Sequence, residues 1–190
     1  MFETKTILAV SAVILTFVGY VPYIADIFKG KTKPHAYSWL IWGTLTGIIF
    51  ALQVSAGAGV GSVVTLFLTL ISFFVFIQSL KRGMANITNV DKVFLVLALC
   101  ALPLWLVINQ PVLSIILLMT IDLLGFVPTV RKTWQDPYTE TLSMYVITTF
   151  RHMISFLALA EYNIVTWLFS VSGIIVNILF SFMLIYRRRK

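Results

Sequence analysis

The sequence predicts an all-α membrane protein with seven transmembrane helices, in which two parallel three-helix repeats are joined by a linker helix. The prediction rests on the composition, the spacing of the apolar runs and a repeated motif. Of the 190 residues, 59% are hydrophobic and 11% are charged, whereas an ordinary soluble domain carries roughly 25% charged residues. A chain of this size cannot bury so much apolar surface in one core, so lipid must cover much of it.

The apolar runs are long enough to cross a bilayer, for which about 20 residues are needed. They are separated by short polar segments that leave no room for a soluble domain, and they occupy residues 6–28, 37–55, 60–80, 90–108, 111–131, 140–160 and 164–186. The first run is longer than the apolar part of a usual signal peptide and lacks a clear cleavage site. We therefore expect it to be retained as a helix.

The basic residues fall mainly on one side of the membrane if the chain crosses it seven times. Twelve of the 14 Lys and Arg residues then share that side, namely Lys29, Lys31, Lys33, Lys81, Arg82, Lys92, Arg131, Lys132, Arg187, Arg188, Arg189 and Lys190. Cytoplasmic loops carry the excess of basic residues. We therefore expect an outside N-terminus, a cytoplasmic C-terminus and a location in the plasma (inner) membrane. The net charge of +7 then needs no nucleic acid to explain it.

A motif near the cytoplasmic end of the first span recurs in the fifth span. GYVPYIADIF begins at Gly19 and GFVPTVRKTW begins at Gly125, so Pro22 and Pro128 lie 106 positions apart. Three spans on each side of one linking span give both copies the same orientation. The predicted units are a first three-helix unit, a linker helix and a second three-helix unit, at residues 1–85, 86–109 and 110–190.

Six of the seven spans carry a stripe of polar or small side chains on a helical wheel. The fourth span, VFLVLALCALPLWLVI, is apolar throughout, contains the single cysteine Cys100 and is typical of a lipid-exposed connector. Such stripes also mediate plain helix packing. Six stripes together with two ionisable residues at mid-depth, Asp122 and Arg151, favour a polar central cavity.

Charged side chains inside a membrane cost about 2.5–3.5 kcal/mol each on insertion scales, so they usually face the interior and pair. Asp122 and Arg151 lie at depths that differ by about 5 Å at the helical rise, and we predict that they interact directly or through water. A buried ion pair that only locks two helices is the alternative to a substrate site or gate. His152 shares the face of Arg151; it could relay a proton with Asp122, although a packing role is commoner.

The residues predicted to bind a substrate face the cavity and are polar or aromatic: Asp122, Arg151, Asn177, Trp42, His152 and Thr46. Trp42 could stack on a sugar, nucleoside or heterocycle. Trp39 lies one turn nearer the basic loop and is predicted to anchor the helix at the membrane interface. A hinge is predicted at Pro22 and Pro128, because proline removes a backbone hydrogen bond and bends a helix, and each follows a glycine (Gly19 or Gly125) by three positions. Static kinks are the alternative.

The chain resembles the PQ-loop superfamily, which includes the SWEET sugar transporters. The resemblance rests on the three-one-three plan, the repeated proline, and the segment KTKPHAYSWLIW, which is similar to the family's basic loop leading into an aromatic second helix. The chain has Pro22-Tyr23 and Pro128-Thr129 where the family typically has Pro-Gln. Asn177 resembles the pocket asparagine of SWEETs, whereas the matching place near Ile71 has none. Vitamin transporters of the PnuC type share the plan.

This resemblance implies a transporter that moves a small polar solute, of sugar, vitamin or amino acid type, by alternating access through a cavity between the repeats. The alternative is a membrane receptor or sorting protein on the same fold. We expect no enzyme, because the sequence has no P-loop, no H-E-x-x-H and no G-x-S-x-G motif. The expected partners are a small-molecule substrate and the lipid bilayer, without cofactor, metal or nucleic acid. Assembly into a homo-oligomer stays open.

Overall fold

The regular structure of the chain is helical. The computed structural model describes residues 2–82, 87–90, 92–93, 95–96 and 110–189. Among these residues no strand occurs, so the all-α class is confirmed for this part of the chain. Most of the predicted linker helix (86–109), including Cys100, lies outside the described residues. The count of seven helices therefore stays a prediction.

Six long helices are described, and each corresponds to one of the predicted spans. They are α1 (Phe2–Phe28), α2 (Ala36–Ser55), α3 (Ser62–Arg82), α4 (Pro111–Gln135), α5 (Leu142–Leu157) and α6 (Ile164–Arg188). Short 3₁₀ turns precede α3 and α5, at Gly59–Gly61 and Pro137–Thr139. In the described part, five helices are long and apolar enough to cross a membrane; α5, with 16 residues, is shorter. The chain is an integral membrane protein.

Local sequence explains several helix ends. Asn163 accepts hydrogen bonds from the backbone of the first turn of α6, and the Thr166 hydroxyl accepts one from the Asn163 backbone at 3.1 Å, which forms a capping box. Pro111 starts α4, where its missing N–H is not needed. Gly30 and Gly57 follow α1 and α2 with φ of 73° and 80°, the left-handed conformation that favours glycine after a helix.

The helices form two triplets that pack against each other in a repeated pattern. In the first triplet (α1 to α3), α3 contacts both α1 and α2; in the second (α4 to α6), α6 contacts both α4 and α5. Across the interface, α1 packs on α5, and α2 packs on α4. We call the end with loops 29–35 and 136–141 the basic end, and the end with loops 56–61 and 158–163 the opposite end.

The surface of the bundle is apolar and its interior is rich in polar side chains. Large apolar residues of α1 are exposed, among them Ile7, Val10, Ile14 and Phe17. Many hydroxyl, amide and charged side chains are buried, among them Gln53, Thr65, Arg151, His152 and Ser170. This is the reverse of a soluble protein and fits a bundle whose outer surface contacts lipid.

Two glycines of the repeated motif lie where the triplets meet. A methyl group added at Gly19 would lie 3.2 Å from Cγ2 of Ile147, and one added at Gly125 would lie 2.8 Å from Cγ2 of Ile41. Helices α1 and α4 continue through Pro22 and Pro128. In this structure the glycines allow close helix packing, and the predicted hinge role of all four residues stays a prediction.

We predict that Gly125→Ala destabilises the folded protein more than Gly19→Ala, because the added methyl overlaps Ile41 more severely. Overpacking of this kind costs about 1–3 kcal/mol. Thermal unfolding in detergent measures the effect, and Ile41→Ala should restore part of the loss in Gly125→Ala. Gly47→Ala is the control, because its methyl would meet Thr69 at an ordinary 3.5 Å. Equal stability of the Gly125 and Gly47 variants would contradict the prediction.

Candidate functional site

A cavity of about 80 Å³ lies between the two triplets, and all six described helices contribute to its wall. It is lined by every residue predicted to bind a substrate: Asp122, Arg151, Asn177, Trp42, His152 and Thr46. The structure thus brings these six together, although their predicted role in binding stays a prediction. Sequence reasoning did not assign Tyr20, Ser72, Phe126 and Phe169 to the cavity, which they also line.

Arg151 and His152 form a buried pair in the wall of the cavity. Arg151 is 1% exposed, and its Nη2 donates to Nε2 of His152. A guanidinium can only donate, so Nε2 must accept, which makes this imidazole neutral with its proton on Nδ1. The Nδ1 of His152 and the Nε of Arg151 are buried without a hydrogen-bond partner among the described residues. His152 packs against Gly173 of α6, which has no side chain to displace it.

Asp122 lines the same cavity from α4 but makes no ion pair with Arg151. It is half-buried, and no direct bond joins the two side chains in the described structure. The predicted interaction was direct or through water; the direct contact is not formed, and an interaction through water stays a prediction. Helix α5 directs Arg151 at its neighbour His152 instead. The cavity consequently carries a guanidinium group and a carboxyl group that do not contact each other in the described structure.

A cluster of seven aromatic rings closes the cavity on the side of the basic end. We call it the aromatic plug: Tyr20, Tyr23, Trp39, Trp42, Phe126, Tyr145 and Phe180. Neighbouring rings have centroids 4.4–6.4 Å apart. On their own helices, Trp42, Phe126 and Tyr145 lie nearer the basic end than Thr46, Asp122 and Arg151 do. The plug therefore lies between the polar cavity wall and the basic end.

Trp39 belongs to this plug, so its predicted role as an interface anchor is wrong. Its indole is 2% exposed and packs against Tyr20, Tyr23 and Trp42, with ring centroids 5.0–6.0 Å away. Its position one turn into α2 is near the end of the helix, as predicted, but the side chain points into the bundle. The role of Trp39 depends on which side of α2 faces the bundle, and tertiary packing determines that side.

Beyond the plug, polar and ionic contacts tie the triplets together at the basic end. We call this group the basic-end latch: Asp26, Thr32, Lys33, Lys132, Thr139, Glu140 and Thr141. Lys132 is 5% exposed, pairs with Glu140 and donates to the carbonyl oxygen of Lys33 at 2.5 Å. Thr141 donates to Asp26 at 3.0 Å. The bonds of Asp26 and of the Lys33 carbonyl cross from α1 and its following loop to loop 136–141 and α4, so they hold the triplets together at this end.

The plug and the latch are joined through Glu140. One carboxylate oxygen of Glu140 pairs with Lys132, and the other accepts a hydrogen bond from Tyr145 at 2.9 Å. Sequence reasoning used Lys132 only as a topological charge. Glu140 follows the proline of the second basic loop and offered no signal that it would meet Lys132, eight positions earlier across a turn.

The opposite end is closed mainly by backbone contacts between the triplets. The N–H of Ala160 donates to the carbonyl oxygen of Ala58 at 3.2 Å, and Asn163 donates to Ala56 at 3.3 Å. Lys5 donates to the carbonyl oxygens of Leu159 and Ala160 at 2.6 and 2.9 Å. Ala58 and Leu159 are fully buried. Loops 56–61 and 158–163 therefore cover the cavity on this side.

A line of hydrogen bonds connects the cavity wall to the opposite end. We call it the polar ladder: Thr46, Thr69, Thr65, Gln53 and Thr166. Thr69 donates to the Thr46 hydroxyl at 3.1 Å, Thr65 donates to the amide oxygen of Gln53 at 2.7 Å, and Gln53 donates to the Thr166 carbonyl at 3.1 Å. Thr46 lies in the cavity wall, and the polar ladder extends from it towards the opposite end.

Comparison with protein families, with characterised proteins and with solved structures finds no match to this chain. The resemblance to the PQ-loop superfamily therefore stays a prediction from the motifs.

We predict that Gly173→Ala separates His152 from Arg151, because the added methyl would lie 2.3 Å from Nε2 of His152. Nitrogen-15 NMR of histidine-labelled protein checks this, and a His35→Gln variant assigns the two histidine signals. The wild type should show a neutral His152 protonated on Nδ1, and Gly173→Ala should alter its signals while Gly47→Ala should not. A wild-type His152 protonated on Nε2 would contradict the assigned tautomer.

We predict that Lys132→Met and Glu140→Gln each destabilise the protein more than the double variant does. Removing one partner leaves the other charge buried and unpaired, which costs about 3–5 kcal/mol for a buried pair, whereas removing both leaves no charge. Thermal unfolding of all four proteins completes a double-mutant cycle. Lys31→Met, at an exposed position of the adjoining loop, is the control. Additive losses would show that the two charges do not stabilise each other.

Proposed function

We propose that this chain is a membrane transporter that moves a small polar solute by alternating access through the cavity between the two triplets. One observation carries the proposal: a small cavity that contains polar and charged side chains has walls from all six described helices, and contacts between the triplets lie at each end of it. A cavity placed between two separate closures can open to one side while the other stays shut. The solute class is a sugar, vitamin or amino acid.

The proposal includes the plan of two parallel three-helix repeats joined by a linker helix. Corresponding helices of the triplets have corresponding neighbours, which is the arrangement that a two-fold axis along the membrane normal produces. Lys33 and Thr139 lie 106 positions apart, the same offset as Pro22 and Pro128, and the N–H of Lys33 donates to the carbonyl oxygen of Thr139 at 3.2 Å. Residues that meet their own counterparts lie near such an axis, which supports the repeat.

In this mechanism each triplet moves as a unit, because α3 and α6 each hold the other two helices of their triplet. Opening towards the basic end breaks the basic-end latch and parts the plug, while the contacts of loops 56–61 and 158–163 stay intact. Opening towards the opposite end does the reverse. Pro22 and Pro128, with Gly19 and Gly125, would let α1 and α4 bend during this exchange. The structure with both ends closed corresponds to the state between these two openings.

We further propose that the basic end faces the cytoplasm of a plasma (inner) membrane, with the N-terminus outside. The basic residues of loop 29–35 and of the end of α6 support this orientation under the positive-inside rule. A receptor or sorting protein on the same fold would need a cavity that its ligand reaches from one side. The contacts between triplets at both ends favour the transporter.

Cysteine locks test alternating access without knowledge of the solute. In a Cys100→Ser background, Lys33→Cys with Thr139→Cys locks the basic end, and Ala58→Cys with Ala160→Cys locks the opposite end. A backbone hydrogen bond joins the two residues of each pair. This brings the two backbone segments close enough for a disulfide. Ser72→Cys in the cavity wall reports access through its reaction with a membrane-impermeant maleimide.

We expect the basic-end lock to restrict maleimide reaction to the opposite side, and the opposite-end lock to restrict it to the basic side. Reduction of either disulfide should restore reaction from both sides. Labelling from one side under both locks would indicate a receptor, and no labelling under any condition would indicate a structural protein. Flux of sugars, vitamins and amino acids into proteoliposomes should be stopped by either lock and recovered on reduction.

A further inference from the structure

We infer that the cavity binds a small zwitterion, an α-amino acid with a short side chain, whose carboxylate pairs with Arg151 and whose ammonium group pairs with Asp122. The inference rests on the proposed function and narrows its solute class. Three observations carry it: an incompletely bonded buried guanidinium, a separate carboxylate in the same cavity, and the size of the cavity.

Among the described residues, no anion contacts the buried guanidinium of Arg151. Its side chain is 1% exposed, its one hydrogen bond goes to the neutral His152, and its Nε has no partner in the described structure. An unpaired buried charge is unfavourable, so a ligand that brings an anion gains more here than in water. The planar fork of arginine matches a carboxylate with two parallel hydrogen bonds. A neutral sugar would leave this cation uncompensated.

Asp122 makes a purely anionic ligand a poor match. Its carboxylate lines the same cavity from α4 and does not contact Arg151. Asp122 would repel a ligand with a single negative charge, and Arg151 would repel a ligand with a single positive charge. A zwitterion places opposite charges against both. Asn177 adds an acceptor for the ammonium group: its amide nitrogen donates to the carbonyl oxygen of Gly173 at 2.7 Å, and its amide oxygen has no hydrogen-bond partner among the described residues.

The closed cavity has room for few atoms. A cavity of about 150 Å³ holds benzene, and this one measures about 80 Å³. Glycine and alanine have few enough non-hydrogen atoms to fit without large displacement of the wall. The rings of Trp42 and Phe126, 5.5 Å apart and both in the wall, supply the apolar surface for a short side chain.

Binding to the full chain in lipid nanodiscs tests this assignment by removing one ligand group at a time. The probes are L-alanine, propionate (which lacks the ammonium group), ethylamine (which lacks the carboxylate) and glycerol as the neutral control. The variants are Arg151→Gln and Asp122→Asn. The matched controls are Arg187→Gln and Asp136→Asn, whose side chains lie at the basic end, away from the cavity.

We expect L-alanine to bind at least about tenfold more tightly than propionate or ethylamine, since each lacks one charge-assisted hydrogen-bonding group. Arg151→Gln should weaken the binding of alanine and propionate by at least about tenfold, and it should strengthen the binding of ethylamine, because a like charge is removed. Asp122→Asn should weaken alanine and ethylamine and abolish the preference of the site for alanine over propionate. The control variants should bind alanine as the wild type does.

Failure to bind alanine, or equal binding of alanine and glycerol, would overturn the assignment. If Arg151→Gln does not fold, the ratio of alanine affinity to propionate affinity in Asp122→Asn still tests the assignment. A ratio equal to that of the wild type would contradict the assignment. Proteoliposome flux separates the two proposals. Alanine binding that depends on Arg151 but is not accompanied by flux would refute transport and keep the site. Flux of a neutral solute without alanine binding would keep transport and refute the zwitterion.

Discussion

Polar side chains inside this bundle must find partners within the protein, because its outer surface is apolar and a bilayer core contains no water to bond them. Many hydroxyl groups donate to a carbonyl oxygen of their own helix, as Thr16 does to Ala12. Other hydrogen bonds join the two triplets, such as those from Gln53 to Thr166 and from Thr129 to Ser38. The central cavity holds groups whose bonding is incomplete among the described residues, including the Nε of Arg151 and the Nδ1 of His152.

Much of the fold follows from the sequence alone, because span length and helix periodicity are local properties. Six of the seven apolar runs correspond to the six described helices, and the helical wheel identified Thr46, Asp122, Arg151 and Asn177 as inward-facing. The cost of a charge in lipid leaves these side chains no other stable direction. The repeated glycine and proline were also recognisable in the sequence. The packing of the two glycines, Gly19 against Ile147 and Gly125 against Ile41, was not.

The pairing of side chains across helices could not be predicted in the same way. Arg151 was expected to interact with Asp122 directly or through water, and its direct bond goes to His152 instead; Trp39 was expected at the interface but lies in the aromatic plug. In both cases the sequence constrains the depth of the residue in the membrane and the face of its helix to within about a turn. The partner of the side chain depends on how two helices are rotated against each other. Glu140 illustrates the limit most clearly, because a carboxylate at the end of a loop is usually solvated, and here it is buried by Lys132 and Tyr145.

The aromatic plug would have a kinetic consequence in the proposed transporter. Its rings are largely apolar, whereas Thr46, Ser72 and Asn177 place hydroxyl and amide groups in the cavity wall. A solute leaving towards the basic end would give up its hydrogen bonds to these groups before it reached the charged groups of the basic-end latch. The activation barrier to release on that face of the membrane would include this loss. In an uncoupled carrier such a barrier alters how fast that face exchanges solute, yet it leaves the concentration ratio at which net flow ceases at one.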